Sequence, residues 1–260
     1  MMNALIWAEK IAFSYGGKQV LDGISVSVRY GEVLAILGPN GSGKTTIMKI
    51  LLGLLKPDSG IIRLDGLSLA HLTRKELARK MAYVPQNHRE SFGYTVDDIV
   101  LMGRMPHLSF FGRYSGRDRK IAAESLEKMS VKHLHDRPYT EISGGERQLV
   151  LIARAIAQEA KIIAMDEPSS SLDFGNQMRL LSTVKSLAGE GYTFIITTHH
   201  PNHAMLVADR VVMMSRGAKV SEGSPENVIT DERIRSLYDL DESLMPSGTI
   251  AANAFGTLCA

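Results

Sequence analysis

Residues 36–46 read I-L-G-P-N-G-S-G-K-T-T. An apolar run, Val33 to Leu37, leads into them, and an apolar-periodic segment, Ile47 to Leu55, follows. The stretch fits G-x-x-x-x-G-K-[ST] with Gly38, Gly43, Lys44 and Thr45 in the fixed places, in the strand, loop and helix context that the pattern requires. A loop with three glycines can turn its backbone N–H groups inward around a chain of phosphates, because no Cβ blocks positive φ or close approach. The helix that follows offers free N–H groups and about half a positive charge to the same anion. Lys44 adds a mobile full charge, and the Thr45 hydroxyl stands where it can ligate magnesium. A strand, a phosphate loop and a helix in succession give an α/β fold.

The bulk properties leave room for that reading. At 260 residues the chain can bury one large core, with space for an inserted or appended subdomain. Thirty Lys and Arg against 28 Asp and Glu leave a net charge of +2, without the polybasic footprint of a nucleic-acid binder. The single cysteine, Cys259, rules out an internal disulfide and a cysteine metal site, and points to a reducing compartment. The N-terminus M-M-N-A-L-I-W-A-E-K has no basic region ahead of an apolar core, and no apolar run approaches the ~18 residues of a membrane span. A link to a membrane is therefore expected to go through a partner.

Ala4 to Val28 alternate apolar and polar residues around the turn Tyr15-Gly16-Gly17-Lys18, which predicts antiparallel strands with one solvated face. Tyr15, at that turn, could stack on a nucleobase. Gly60 to Leu67 reads as another hairpin, and Arg74 to Lys80 as an exposed helical turn. The strand Met81 to Gln86 ends in an amide, Gln86, that could give magnesium a neutral oxygen. From about Ser91 to Tyr139 the strand signal stops. Thr95 to Arg104 starts as a capped helix, with two Asp in its first turn. Asp118 to Met129 places Ala122, Leu126 and Met129 on one helical face.

Three polar clusters follow. Ile142 to Gln148, I-S-G-G-E-R-Q, opens a helix with Ser143, Gly144 and Gly145, and its apolar residues Leu149, Ile152 and Ile156 repeat at helical spacing. This second anion device binds another phosphate, or reaches the same kind of phosphate from another direction. Lys161 to Asp173, K-I-I-A-M-D-E-P-S-S-S-L-D, starts with four apolar residues that suit a buried parallel strand, and two carboxylates, Asp166 and Glu167, stand at its end. Successive strand residues point opposite ways, so Asp166 is expected to hold magnesium and Glu167 to polarise the water that attacks the γ-phosphate. Thr193 to Pro201 repeats the design, with His199 or His200 near the γ-phosphate. Val211 to Met214 and Lys219 to Gly223 read as strands and Glu226 to Tyr238 as a last helix. Asp241 to Ala260 reads as a loosely held tail.

Taken together, these residues resemble the ATP-binding subunit of ABC transporters, from Leu5 to about Leu240. The resemblance rests on G-P-N-G-S-G-K-T, I-S-G-G-E, the strand ending in Asp166-Glu167, S-S-L-D and T-T-H, in that order. It implies a P-loop NTPase (RecA-like) core with an N-terminal antiparallel β-subdomain and an inserted α-helical subdomain. The ATPase domain would span 1–240, the insertion about 91–157, and a tail 241–260. ATP and Mg2+ would be the ligands, with Gly38, Pro39, Asn40, Gly41, Ser42, Gly43, Lys44, Thr45 and Thr46 around the phosphates and Tyr15 on adenine. Thr45, Gln86 and Asp166 would serve the metal. Gln86 would also sense the transporter, Glu167 would be the catalytic base, His199 the switch histidine and Asp173 a contact across a dimer.

The family packs two subunits head to tail, so Ser143, Gly144, Gly145 and Glu146 of one would cap the ATP held by the other. Here Ile142 and Glu146 replace the usual Leu and Gln, and a carboxylate near a triphosphate is unfavourable unless it points away. Tyr94 to Leu108 is similar to the segment of iron-siderophore, haem, vitamin B12 or molybdate importers that lies beside the groove for the permease. The implied partners are a second copy, integral permease subunits and, indirectly, an extracytoplasmic binding protein, with no nucleic acid. The implied location is peripheral, on the cytoplasmic face of the membrane. The alternative is a soluble ABC-type ATPase of DNA repair or translation, but the sequence has neither the long coiled coils nor the tandem cassettes usual there. A GTPase would need N-K-x-D, which is absent.

Overall fold

The computed structural model describes residues 4–86, 93–109 and 112–249. Cys259, residues 250–260 of the expected tail and Ser91 at the expected start of the helical insertion lie outside the described residues. The chain begins with β1 (Ala4–Tyr15), β2 (Lys18–Arg29), β3 (Val33–Leu37), α1 (Lys44–Leu51), β4 (Ser59–Leu64) and β5 (Leu67–Ser68). It continues with α2 (Arg74–Lys80), β6 (Met81–Val84), α3 (Val96–Leu101), α4 (Gly116–Lys128), α5 (Gly144–Ala157), β7 (Ile162–Asp166) and α6 (Phe174–Gly189). It closes with β8 (Thr193–Thr198), α7 (Pro201–Val207), β9 (Arg210–Ser215), β10 (Ala218–Gly223), α8 (Pro225–Val228) and α9 (Asp231–Tyr238). These elements form two compact units, one from the residues up to His71 and from Thr193 onward, the other Leu72–Tyr192.

In the first unit β3 lies between two parallel neighbours, β8 and β9, with Leu37 opposite Thr198 on one side and Met213 on the other. All five residues of β3 and all six of β8 are buried; β3 is apolar throughout, and β8 carries its apolar residues Phe194, Ile195 and Ile196 between buried threonines. Ala35, Leu37, Val211 and Met213 pack under Ala204 of α7, Val228 of α8, and Ile234 and Leu237 of α9. The predicted last helix is two helices. It breaks at Ile229, and α9 restarts at Thr230, whose hydroxyl accepts the N–H of Arg233. The first tail residues are held rather than loose. Met245 is buried in the same apolar cluster, and its carbonyl accepts from the Arg235 guanidinium at 3.1 Å.

The antiparallel β1, β2 and β4 follow the expected alternation with several register shifts, the one at Lys10 changing which positions are buried. Buried positions move from Ile6 and Ala8 to Ile11 and Phe13, because a bulge with Lys10 at φ +51° inserts a residue. A buried ion cluster that no local pattern announces ties this unit together. The Arg210 guanidinium meets Glu32 at 2.6 and 3.2 Å, the Ser27 carbonyl at 2.6 Å, and Glu222.

In the second unit β6 runs parallel to β7, Met81 opposite Ile162. Between them the described residues hold helices and turns, with an isolated bridge from Thr95 to Pro138. Thr95 and Ser115 cap α3 and α4 with reciprocal capping boxes. The helix expected to run to Arg104 stops at Leu101 and tightens into a 3-10 turn, Met102–His107, around Pro106, which has no N–H to donate. Arg104 itself is buried. It donates to Asp118 at 2.9 Å, Glu159 at 2.8 Å and the Ala157 carbonyl at 2.7 Å.

Hydrogen bonds from the Ser115 hydroxyl and N–H, and then from Arg104, pull the Asp118 carboxyl down to about 2. A carboxyl depressed on folding stabilises above its unfolded pKa and loses that contribution as pH falls through its folded one. Asp118→Asn should lower the melting temperature at neutral pH by roughly 5–10 °C, as expected for a buried pair that loses one partner. It should also flatten the loss of stability between about pH 4 and pH 2. Thermal unfolding across that range reads both.

Candidate active site

The phosphate loop leaves the C-terminal end of β3 into the space between β8 and β9. The Gly38 N–H donates to the Thr198 carbonyl at 3.4 Å, and a Cβ on Gly38 would stand 2.2 Å from the Met214 carbonyl oxygen. Only glycine fits there. Gly43 sits at φ +97° as the N-cap of α1, with no side-chain cap bond, so the positive end of the helix is turned toward the loop. The Ser42 carbonyl accepts from the Gly217 N–H, whose own carbonyl accepts from Asp22, and this fastens the loop to the β9–β10 turn and to β2.

Within the loop the Ser42 hydroxyl is buried without a protein partner. The Lys44 ammonium is buried too and donates to the carbonyls of Gly38 at 2.8 Å and Pro39 at 3.1 Å. Thr45 is half-buried and Thr46 buried in the first turn of α1, while Asn40 and Gly41 are exposed. A glycine-rich loop at a helix start, with an orphan hydroxyl and a buried ammonium, fits a polyphosphate.

At the end of β8, the Thr198 hydroxyl accepts the N–H of His200 at 3.0 Å. The rings of His199 and His200 lie 4.0 Å apart, and those of His200 and His203 4.9 Å. Burial, reinforced by the two neighbouring rings, pushes His203 down to about 4, so it stays uncharged at neutral pH. His199 is half-buried and His200 exposed. Tyr15 is 50% exposed and meets Phe13 edge-on at 4.7 Å.

The second unit brings together Gln86, Asp166 and Glu167. Asp166, the last residue of β7, lies 3.5 Å from the Tyr83 hydroxyl. Burial first, and then the Asp166 charge, raise the Tyr83 hydroxyl pKa, so it serves as a donor and not as a base. Glu167 leaves the strand at φ +47°, an uncommon conformation for a residue with a Cβ, of the kind that clusters at functional sites. Its carboxylate accepts from the Gln86 amide at 2.9 Å. The two carboxylates therefore part company through a backbone turn at Glu167 as well as through strand alternation.

Ser143 is the N-cap of the fourteen-residue α5, accepting from the Glu146 N–H, and the Glu146 carboxylate turns back to accept the Ser143 N–H at 2.8 Å. Hydrogen bonding by Ser143 holds the Glu146 carboxyl below the usual range. At the position where the family has Gln, the acid completes a capping box with the Ser143 N–H, as S-x-x-E signals. Arg147, which sequence reasoning passed over, grips the loop ahead of the helix through the carbonyls of Ile142 at 3.0 Å and Thr140 at 2.7 Å. A Cβ on Gly145 would approach the Ser171 carbonyl at 3.2 Å, so this helix start packs against the S-S-L-D turn. Asp173 caps α6 through the Asn176 N–H at 2.8 Å.

Compared with known proteins, residues 21–170 match the model of the ABC transporter family. The chain belongs to the ABC transporter family. It is an ATP-binding subunit of such a transporter, an ATPase of P-loop NTPase fold whose hydrolysis powers transport. It is 39% identical, over 93% of its length and 92% of the other, to an uncharacterised ABC transporter ATP-binding protein of Haemophilus influenzae. It is 36% identical to the molybdate import ATP-binding protein MolC of the same organism, covering 92% of this chain and 90% of that one. The iron(3+)-hydroxamate import ATP-binding protein FhuC of Bacillus subtilis is 31% identical over 94% of this ATPase and 91% of its own length.

Among solved structures, an inward-facing ABC transporter classed as metal-chelate type superposes with TM-score 0.80 at 35% identity, covering 92% of this chain and 90% of that one. A dimeric bacterial ABC transporter cassette gives TM-score 0.75 at 28% identity, over 85% and 98%. No helix among the described residues is long and apolar enough to cross a membrane.

The cradle gives a sharp test. In Gly38→Ala, forcing a methyl group against the Met214 carbonyl should cost about 1–3 kcal/mol and abolish measurable ATP binding. Thermal unfolding and titration with a fluorescent ATP analogue read the two effects.

Proposed function

We propose that this ATPase closes as a homodimer on two ATP molecules and drives a permease that imports a metal chelate, of the iron-siderophore, haem, cobalamin or molybdate kind. The importer reading is supported by relatives named for molybdate and iron(3+)-hydroxamate import and by the metal-chelate type of the superposed transporter. The segment Tyr94 to Leu108 points the same way. The dimer is supported by the dimeric cassette among the solved structures. The subunit works at the cytoplasmic face of the membrane, peripheral to the permease, which receives its cargo from an extracytoplasmic binding protein. It engages no nucleic acid.

The observation that carries the mechanism is the 2.9 Å hydrogen bond from Gln86 to Glu167. Glu167 is the general base that takes a proton from the attacking water, and Gln86 orients it. Gln86 lies where a permease would push, two residues beyond β6, which ends at Val84 and not at Gln86 as the sequence suggests. A shift of Gln86 changes how free the base is, which links transport to hydrolysis. Lys44 and the N–H groups of Gly38 to Thr46 hold the β- and γ-phosphates, Tyr15 stacks on adenine, and His199 orients the γ-phosphate and water. Magnesium, when bound, neutralises phosphate charge, with Thr45, Asp166 and Gln86 as its oxygen donors. Ser143 to Glu146 of the second copy close the site, with Asp173 at the dimer contact.

Glu167→Gln should bind ATP as the wild type does yet hydrolyse it roughly 10²- to 10⁴-fold more slowly. Phosphate release at the wild-type rate contradicts the role given to Glu167. In proteoliposomes with the permease that co-purifies, ATP should drive uptake of at least one of ferric hydroxamate, haem, cobalamin and molybdate. Hydrolysis without uptake of any of them contradicts the importer reading.

A further inference from the structure

The turn that carries His199 is fastened residue by residue. The Thr198 carbonyl accepts from Gly38, which ties the residue before His199 to the phosphate loop, and the Thr198 hydroxyl accepts from His200, which closes the turn across His199. The remaining fixed point comes from far along the chain. The Tyr238 hydroxyl, at the end of α9, donates to the main-chain carbonyl of His199 at 2.8 Å. Its ring packs against the cluster of Leu37, Ala204, Met213 and Leu237, which itself supports β3 and the phosphate loop.

The helix bearing Tyr238 is held as well. Thr230 caps its start, and its C-cap, Asp239, adopts φ +58°. Arg235 reaches the Met245 carbonyl, and the Asp231 carboxylate accepts the Gly248 N–H at 2.5 Å, strapping the following segment to α9. The hydroxyl is therefore delivered from a fixed platform to a peptide group whose rotation would swing the His199 side chain. Nothing in the packing of the ring requires that hydroxyl. A phenylalanine would fill the same space.

We propose that Tyr238 is a positioning residue for His199: its hydrogen bond to the His199 carbonyl sets the histidine's orientation for hydrolysis and puts that orientation under the control of the C-terminal helix. The inference rests on the role given to His199 above. A neutral hydrogen bond of this kind, felt in the transition state and not in nucleotide binding, corresponds to a roughly three- to tenfold change in rate.

The test is steady-state ATP hydrolysis by the full chain carrying Tyr238→Phe, His199→Ala or both, with a thermal unfolding curve for each variant. Tyr238→Phe should lower kcat roughly three- to tenfold with KM for ATP within about twofold of wild type. Its folding transition should be nearly unchanged, a split that a purely structural tyrosine would not produce. In the His199→Ala background the same substitution should have no further effect on residual hydrolysis, because the group it acts through is gone. Wild-type kcat in Tyr238→Phe would overturn the proposal while leaving the role of His199 standing, provided His199→Ala is impaired. Wild-type hydrolysis in His199→Ala would overturn both. An equal, independent fall in both backgrounds would place Tyr238 on some other path and overturn the proposal alone.

Discussion

A backbone carbonyl, that of Met214, leaves no room for a side chain at Gly38, and most of the first unit follows from that contact. For the chain to turn out of β3 at this point, β8 and β9 must both be in register beside it, and the apolar faces of all three must be covered. The helices α7, α8 and α9 supply that cover. The buried Arg210, bridging Glu32, Glu222 and the Ser27 carbonyl, holds the far end of the same strands. Replacing one partner of such a cluster would strand a charge without water, so it fixes one arrangement of strands more than it adds net stability.

The chemistry is set by hydrogen bonds at the ends of strands. In the first unit the phosphate loop and the histidine turn share Thr198. In the second, Gln86 and Glu167 share a hydrogen bond, and Glu167 is held in a left-handed backbone conformation that residues with a Cβ adopt uncommonly. That strain is offset by the burial of β7 and the turn closed by the Ser170 N–H on the Glu167 carbonyl at 3.2 Å. A carboxylate fixed in place and hydrogen-bonded to a residue just beyond a neighbouring strand is suited to being shifted by a small displacement.

Local patterns made much of this legible. The loop from Gly38 to Thr46 and the helix start at Ser143 are read from spacing, because their function lies in backbone groups that glycine and serine expose. The apolar stretches of β3, β7 and β8 are read because strands buried on both faces are built mostly of apolar side chains, with the buried threonines of β8 and Asp166 of β7 as the exceptions. What escaped is what depends on residues distant in sequence. Glu32 and Arg210 are 178 positions apart, Gln86 and Glu167 81, and His199 and Tyr238 39. One misreading was avoidable in principle: Thr230 ahead of two acids marks a fresh helix start within what reads as one helix. The capping box of Ser143 with Glu146 is likewise written in S-x-x-E. The slip at Lys10 has no such warning, since a bulge preserves alternation on either side of itself.

The central claim is that one chain holds half of each hydrolytic site and a second copy completes it. Mixing two inactive variants in equal amounts tests this most directly. One carries Lys44→Ala, which damages the phosphate cradle, and the other Ser143→Arg, which blocks the capping helix start. If the site is shared, half of the interfaces in a mixed dimer pair an intact cradle with an intact cap. Phosphate release then rises well above that of either variant alone. If each chain works by itself, the mixture stays as inactive as its parts, and the claim of a shared site fails.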